Sequence, residues 1–110
     1  MAESKIKYSC EYKEHAQTVT NGTFYFRRYN NMVFIQCIST VTTLAGQYNG
    51  WFTAPEDFRP SKNQYIPCLI GGSANIVAMV HISPTGTVSL YSATAVSGQT
   101  SWVSGCYMLN

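Results

Sequence analysis

The sequence predicts an all-β domain folded as an antiparallel sandwich. Three observations support this class: the chain is rich in Thr, Ser, Val, Ile and Tyr, its apolar and polar residues alternate, and turn signals separate the alternating segments. No apolar pattern with a helical period is long enough to indicate a helix. At 110 residues the chain forms one domain, and we expect about seven to nine short strands.

A hairpin is the first predicted element. Phe24 and Phe26 alternate with polar or aromatic neighbours over residues 23–29, and a second strand follows over residues 32–41. Asn30 and Asn31 lie between the two strands and tolerate positive φ angles. The pattern therefore indicates a strand, a tight turn and a returning strand.

For the rest of the chain the sequence predicts short strands joined by loops. Pro67 has no N–H to donate, so its strand is expected at a sheet edge or a bulge. Pro84 and Gly86 occupy positions of a type I turn between two strands that pair as a hairpin. In chain order we predict a loop at 44–50, a short apolar element at 51–54, strands at 64–70, 76–82 and 87–93, a loop at 96–101 and a last strand at 102–109.

A proline-bracketed segment with a high local charge connects the two halves of the chain. Pro55 and Pro60 fix φ and disfavour helical backbone in the residues before them, which predicts a rigid, extended crossover from one sheet to the other. Phe58 is its only large apolar side chain and is expected to fill the end of the core. Glu56 and Asp57 are expected to face solvent.

The predicted strand 76–82 is apolar on both faces. A strand with one wet face carries polar residues there, but the second face of this strand consists of Val77, Met79 and His81. Phe34 and Ile38 repeat the pattern in the first hairpin. Something must therefore cover these side chains, either a neighbouring subunit or another sheet, loop or terminal segment of the same chain.

Composition excludes several classes of function. The seven basic and five acidic residues give a net charge of +2 with no basic run, which does not suit nucleic acid. No stretch approaches the roughly 20 apolar residues of a membrane span, and the N-terminus has no apolar core of a signal peptide, so we expect synthesis in a cytosol. The widely spaced Cys10, Cys37, Cys68 and Cys106 are expected to be buried free thiols, with a disulfide framework as the alternative.

No pattern supports catalysis, a metal or a cofactor. Glycoside hydrolysis needs two opposed carboxylates, and the adjacent Glu56 and Asp57 do not flank one bond by themselves. The remaining carboxylates, Glu3, Glu11 and Glu14, would have to fold across the domain to complete a pair. The cysteines and histidines form no closely spaced pair typical of zinc, and no local signature indicates a Cys–His nucleophile. We therefore predict a protein that is not an enzyme.

The crossover and the segments on both sides of it carry a family resemblance. An apolar residue, Pro, two variable residues, an aromatic residue, Arg and Pro are followed by a strand and then by the pattern I-x-x-x-G-x-V. In this chain the motif positions are Ala54, Pro55, Phe58, Arg59, Pro60, Ile82, Gly86 and Val88. This order resembles the C-terminal receptor-binding heads of phage tail fibres and baseplate proteins, as in siphophages of Gram-positive bacteria. The likeness covers about residues 19–110, and Ala54 departs from it because a larger apolar residue is commoner there.

The resemblance implies a fold, an assembly and a function. It implies a jelly-roll-like β-sandwich head over residues 18–110 that forms a homotrimer, with residues 1–17 as an N-terminal strand or a linker to a shaft. It implies a non-enzymatic role at the tail tip or baseplate of a virion made in the host cytoplasm, with host cell-surface saccharide and an upstream fibre or baseplate protein as partners. An architectural trimerising cap without glycan binding, and a cell-wall polysaccharide hydrolase, are the alternatives.

The resemblance also implies where a saccharide and a neighbouring subunit would lie. His81 and Tyr91 occupy strands that line the saccharide cleft in the related heads, and an exposed Trp102 would add an aromatic face. Arg59 is the fourth candidate. Each has a structural alternative: a surface or interface His81, interface packing of Tyr91, core or interface packing of Trp102, and bonding of Arg59 to backbone carbonyls. The predicted trimer interface consists of Val77, Met79, Phe34 and Ile38.

Overall fold

The protein is all-β and antiparallel, as the sequence predicts. The computed structural model describes residues 10–72 and 75–110, and the first part of the predicted N-terminal segment 1–17 lies outside them. No helix in these two ranges is long and apolar enough to cross a membrane. The strands are β1 (Tyr12–Val19), β2 (Gly22–Tyr29), β3 (Met32–Thr43), β4 (Gln47–Thr53), β5 (Gln64–Ile70), β6 (Ile76–Ile82), β7 (Thr87–Ser92) and β8 (Val96–Met108).

The eight strands form one curled sheet with the order β1-β2-β3-β8-β5-β6-β7-β4. β4 to β7 form a Greek key, because the consecutive strands β5, β6 and β7 are followed in space by β4. β5 and β8 join the two halves of the sheet through only two residue pairs, Leu69 with Trp102 and Ile70 with Ser101. The sheet curls until β4 packs on β2, and the ring centroid of Phe24 lies 5.0 Å from that of Phe52. The two halves thus enclose one core in a sandwich-like arrangement.

The core is formed by the inner faces of the strands. Along β6, buried and partly exposed residues alternate, as period-two strand geometry requires. Phe24 and Phe26 of β2 are fully buried, and their ring centroids lie 5.0 Å apart. Large buried aromatic side chains of this kind contribute much of the stability of a small core.

Asparagines make the two tight hairpin turns. Asn30 adopts a φ of +54° between β2 and β3, which confirms the predicted turn. Asn21, also at +54°, makes the preceding turn between β1 and β2. The dipeptide Asn21-Gly22 is a strong hairpin signal that the sequence predictions left unused. A Cβ on Gly22 would lie 2.1 Å from the Ile38 carbonyl oxygen, so close approach to β3 also requires glycine there.

Two predicted loops are strands. β4 begins at Gln47, inside the predicted loop 44–50, because it pairs with β7 from Gln47 opposite Ser92. β8 includes the whole predicted loop 96–101, so Trp102 lies in the middle of a strand and does not open it. The long neighbouring β3 supplies a ladder that reaches Val96, and the buried hydroxyls of Ser39 and Ser101 hydrogen-bond at 3.0 Å. Tertiary pairing therefore outweighs the weak strand preference of these residues.

The connector from β4 to β5 is not fully extended as predicted. Residues Glu56–Phe58 form one turn of 3-10 helix, and Pro55 precedes it with a φ of −61°. A proline at the start of a helical turn loses no hydrogen bond, because the first N–H groups are unpaired anyway. Phe58 is buried and its two acidic neighbours are exposed, as predicted. The connector runs from the edge strand of the sheet to an inner strand of the same sheet.

Contacts from three strands fix the second half of this helical turn, at Asp57 and Phe58. The hydroxyl of Tyr107 donates to the Phe58 carbonyl, and burial raises the pKa of that hydroxyl. The guanidinium of Arg28 donates to the Asp57 carbonyl at 2.9 Å, and the Lys13 ammonium lies 3.2 Å from the Asp57 carboxylate. The stiffness that the prolines predict thus comes mainly from contacts with β1, β2 and β8.

Pro67 occupies an inner strand but a locally unpaired position. β5 pairs with β6 over its full length, whereas its pairing with β8 is confined to Leu69 and Ile70. The β5–β8 ladder therefore ends before the residue that has no N–H to donate. The predicted edge strand or bulge is therefore wrong, because β5 lies between β8 and β6, but the missing N–H disturbs no ladder bond to β8 at this position.

The four cysteines are free thiols, but only two of them are buried. Cys37 and Cys68 point into the core, whereas Cys10 and Cys106 are exposed, contrary to the prediction of burial. Burial raises the pKa of the Cys68 thiol to about 11, which keeps it protonated at neutral pH.

Candidate functional site

Four aromatic rings form a cluster on the outer face of the half-sheet β5-β6-β7-β4. We call Tyr48, Tyr65, His81 and Tyr91 the aromatic cluster. The His81 ring stacks on Tyr65 with centroids 4.9 Å apart and lies 5.2 Å from Tyr48. Tyr48 in turn lies 5.0 Å from Tyr91. Three tyrosines and one histidine, one from each of four strands, thus form a chain of contacting rings in the order Tyr65, His81, Tyr48 and Tyr91.

Strand register brings these rings together. Tyr65 lies directly opposite His81 in the β5–β6 ladder, and Tyr48 lies opposite Tyr91 in the β4–β7 ladder. Directly opposed side chains in antiparallel strands are separated by about 5 Å at Cβ, so rings at these positions must touch. The predicted site residues His81 and Tyr91 therefore lie in one cluster, linked by Tyr48.

A fixed polar group accompanies the rings. The Nε2 of His81 lies 3.1 Å from the Asn63 side-chain oxygen. When Nε2 carries the proton it donates to Asn63, and Nδ1 remains free to accept a hydrogen bond from a ligand hydroxyl. Stacking on Tyr65 holds the imidazole plane, so this acceptor is oriented before a ligand binds.

An apolar groove, which we call the Met79 groove, adjoins the cluster. Its volume is about 230 Å³, and it is lined by Pro67, Val77, Ala78, Met79, Tyr91 and Ala93. Met79 lies between Pro67 on β5 and Tyr91 on β7. The small Ala93, just beyond the end of β7, leaves the space open. Tyr91 therefore belongs to both the cluster and the groove.

Trp102 and Arg59, the other predicted saccharide ligands, lie apart from the cluster. Trp102 is 41% exposed on β8, with β5 and β6 between it and Tyr91, and its indole N–H donates to the Gly71 carbonyl at 3.2 Å. The Arg59 Nε donates to the Ala54 carbonyl at 3.0 Å, which is the structural role foreseen as its alternative.

The predicted interface residues all lie on the outer face of the sheet. Ile38, Trp102, Leu69 and Val77 face one another across four adjacent strands, and we call them the apolar row. Val77 is 71% exposed and Ile38 is 52% exposed. Phe34 is exposed further along β3, and Met79 is half-buried in the groove. The row is wide and unbroken, unlike the scattered single apolar residues of an ordinary surface.

Charged side chains lie around β1 and β2 and on the connector, and Arg27 of β2 lies opposite Phe34. No Asp, Glu, Lys or Arg occurs in residues 29–55 or 63–110, so β3 to β8 carry none. The ionisable groups of the cluster are three phenols and one imidazole. Lys62, next to Asn63 along the chain, is the charged residue nearest the cluster in sequence. The cluster therefore offers aromatic surface and hydrogen bonds without a charged anchor.

Two other cavities are less suited to a ligand. One of about 270 Å³ is lined by threonines, Asn49 and Trp51, but the Asn49 amide already donates to the Leu44 and Gln47 carbonyls. Another of about 560 Å³ lies between Arg27, Phe34 and Cys106 on a different part of the sheet. The second cavity also contains two aromatic rings, Tyr29 and Phe34, with centroids 5.9 Å apart. It differs from the cluster in holding a charged side chain, Arg27, whose guanidinium donates to the Gln36 side-chain oxygen at 3.4 Å.

Sequence comparison with known proteins identified no relative. No protein-family model matches the chain, and no curated protein sequence matches it. In residues 10–72 and 75–110 no three His, Cys, Asp or Glu side chains come together as they would around a metal ion. The function of the site must therefore be inferred from the chemistry of its own residues.

Three members of the site, Tyr48, Tyr65 and Asn63, were not predicted from the sequence. Tyr65 could have been predicted as a site residue, because it faces outward on β5 and alternates with the buried Ile66. Tyr48 was hidden in a segment whose glycines resemble a loop. Asn63 acts through a bond to a residue 18 positions away, and no local pattern indicates such a contact.

Proposed function

We propose that this chain is a non-enzymatic saccharide-binding β-sandwich domain, a receptor-binding head that attaches a phage tail tip or baseplate to host cell-surface polysaccharide. The observation that carries the proposal is the aromatic cluster, in which the polar His81 lies between Tyr65 and Tyr48, and Tyr48 contacts Tyr91. Sugars bind with their C–H faces on aromatic rings while a few fixed polar groups orient their hydroxyls. The cluster supplies both kinds of contact.

The shape of the site matches attachment better than catalysis. The rings lie on the outer surface of a sheet, so a sugar would lie across them and stay largely solvated. Affinity per site would be low, and many copies on one particle would supply avidity. No carboxylate side chain lies on β3 to β8, which leaves the hydrolase alternative without an acid and a base on this face.

In this proposal the apolar row is the contact between subunits of a homotrimer. Ile38, Trp102 and Leu69 would be buried there. Phe34, Val77 and Met79 would lie at the margins of the contact, where the groove between Met79 and Ala93 stays open to a ligand. The aromatic cluster would then lie beside the subunit boundary. An upstream fibre or baseplate protein would present the trimer to the cell surface.

A binding measurement tests the proposed function. The purified chain is applied to an array of bacterial neutral polysaccharides and oligosaccharides, together with His81→Ala, Tyr91→Ala and Tyr48→Ala. Leu44→Ala serves as the matched control, because Leu44 is an exposed apolar residue in the loop before β4. Circular dichroism checks that each variant folds.

We expect binding by the wild-type chain and by Leu44→Ala, with a loss of roughly 2- to 13-fold for each ring removed, because one aromatic contact is worth about 0.5–1.5 kcal/mol. Unchanged binding in all three cluster variants would remove the cluster as the site. Absence of wild-type binding to every glycan would refute the saccharide proposal.

The apolar row favours a second candidate, an architectural cap that trimerises without binding glycan. Light scattering on a sizing column separates the mass of one chain, 12.2 kDa, from that of a trimer, 3 × 12.2 = 36.6 kDa. Ile38→Lys places a charge in the row and is expected to give monomers. A trimer that binds no glycan would favour the cap, whereas a wild-type monomer would leave both proposals without their subunit contact.

A further inference from the structure

We infer that the Met79 groove receives the methyl group of an uncharged sugar, carried either by a 2-acetamido substituent or as the methyl of a 6-deoxy sugar. The inference rests on the proposed saccharide-binding function and specifies the chemistry of its ligand. Its basis is the set of side chains that line the groove and the continuity of the groove with the aromatic cluster.

The groove has an apolar floor and apolar walls. Met79 is flanked by Pro67 and Tyr91 in one row of the sheet, and Val77 lies between Leu69 and the position of Ala93 in the next row. Apart from the Tyr91 hydroxyl, no side chain that lines the groove has a hydrogen-bonding N or O atom. A sugar hydroxyl placed there would give up its bonds to water without replacement, which is unfavourable.

A methyl group meets the opposite conditions. It gains from leaving water in proportion to the area buried, at about 0.8 kcal/mol per CH₂-sized group. Tyr91 forms one wall of the groove and also packs against Tyr48 in the cluster, with the two rings tilted and their centroids 5.0 Å apart. A pyranose lying on the cluster therefore has its substituents at the mouth of the groove, while its ring hydroxyls face His81 and solvent.

The charge distribution indicates an uncharged ligand. Strands β5, β6, β7 and β4, which carry the cluster and the groove, contain no Lys or Arg. Phosphate-rich polymers are bound through basic residues, usually arginine, and such residues are missing from these strands. Neutral sugars need only aromatic surface and hydrogen bonds, which the cluster provides.

Two matched sugar pairs test the inference. The trimer of β-1,4-linked N-acetylglucosamine is compared with the trimer of β-1,4-linked glucose, which has a hydroxyl in place of each acetamido group. L-Fucose conjugates are compared with L-galactose conjugates, which differ only by the 6-hydroxyl. A glycerol-phosphate polymer is the anionic probe, measured with the wild-type chain and with Lys62→Ala.

Two variants alter the groove and leave the cluster intact. Ala93→Leu fills the groove from an exposed position, and Met79→Gln makes its floor polar at nearly constant volume. Leu44→Gln is the control, because it makes the same kind of change at an exposed site elsewhere. Saturation-transfer NMR on the bound N-acetylglucosamine trisaccharide reports directly whether the acetamido methyl lies closest to the protein.

The wild-type chain is expected to prefer the methyl-bearing member of at least one pair about four-fold per site. Ala93→Leu and Met79→Gln should abolish this preference and keep residual binding, and Leu44→Gln should retain it. Preference in the acetamido pair alone or in the fucose pair alone identifies the source of the methyl.

Three results would overturn the inference. Equal binding within both pairs would refute the groove assignment while the proposed function stood. A preference that survives both groove variants would place the methyl elsewhere, and tighter binding of the glycerol-phosphate polymer, reduced by Lys62→Ala, would contradict an uncharged ligand. If none of these sugars binds, both the inference and the proposed function fail.

Discussion

Substitution of Gly86 by alanine tests how the connector is locked to the turn between β6 and β7. Gly86 adopts a φ of +91°, and a Cβ there would lie 2.5 Å from the Arg59 Nε and 2.8 Å from the Ala54 carbonyl oxygen. The same carbonyl accepts the hydrogen bond from Arg59, and the Ala54 N–H donates to the Gly86 carbonyl at 2.7 Å. Three positions of the sequence motif therefore meet at one point.

The expected loss of stability has two parts. An L-residue held at a positive φ costs roughly 1–2 kcal/mol. Displacing the Arg59 side chain breaks a hydrogen bond from a charged donor, worth about 1.5–3 kcal/mol, and Arg59 is partly exposed, so the lower end applies. The sum is about 2–4 kcal/mol, a large fraction of the roughly 5–15 kcal/mol typical of a domain.

Urea unfolding followed by tryptophan fluorescence measures this loss, because Trp51 packs edge-on against the buried Phe24 at 5.4 Å. Gly46→Ala is the matched control: Gly46 also has a positive φ, +71°, but a Cβ there would meet nothing within 4 Å. We expect Gly86→Ala to be less stable than Gly46→Ala by at least about 1 kcal/mol. Equal losses in the two variants would refute the lock between Arg59, Ala54 and Gly86.

Three further predictions concern the thiols and one close contact. Native protein should react with a thiol reagent at Cys10 and Cys106 only, and at all four cysteines after unfolding; rapid modification of Cys37 or Cys68 in the folded chain would contradict their burial. Burial raises the pKa of Cys68 from 9.0 to about 11, so the contribution of this protonated thiol to the free energy of unfolding is complete below pH 9. It should be lost as the pH rises towards 11, by about 2–3 kcal/mol. Urea titrations should show a shallower fall in stability for Cys68→Ala than for the wild type, and parallel curves would be inconsistent with this cause. Gly22→Ala should unfold the first hairpin or lower the free energy of unfolding by more than about 2 kcal/mol, because the new Cβ would meet the backbone of β3, which cannot move aside. A variant as stable as the wild type in the same urea titration would refute the close approach.

The fold class and many individual elements could be predicted because they depend on local patterns. Alternation identified the two faces of β6, where Val80 is buried in the core and Val77 lies on the opposite face. Asparagine at positive φ identified the turn at Asn30, and the lone large apolar residue of the connector identified the buried Phe58. In each case the physical cause lies within a few residues of its effect.

The wrong predictions concern segments whose structure is set by residues far away in the sequence. The first part of β8 carries Ser, Gly and Gln and resembles a loop, but it is a strand because β3 supplies a long partner and Ser39 bonds to Ser101. The prolines of the connector suggested extended backbone, but a 3-10 turn forms where Arg28 and Tyr107 bind its carbonyls. Long-range pairing decided both segments.

The candidate site shows the same division. Outward placement of His81 and Tyr91 followed from strand alternation, and the structure places both there. Their connection through Tyr48 depends on the pairing of β4 with β7, a pairing that joins strands far apart in sequence and that local patterns do not specify. The groove depends on the small side chain of Ala93 next to Val77, which also requires the register of two strands.

The most direct test of saccharide binding at the aromatic cluster is to map a bound sugar onto the protein by NMR. Aromatic carbon–proton spectra of the chain are recorded with increasing amounts of the oligosaccharide that binds best on the array. We predict that the resonances of Tyr48, Tyr65, His81 and Tyr91 shift together with one dissociation constant, while the Trp102 indole resonances stay in place. Shifts centred on Trp102, or on none of the cluster rings, would contradict binding at the cluster.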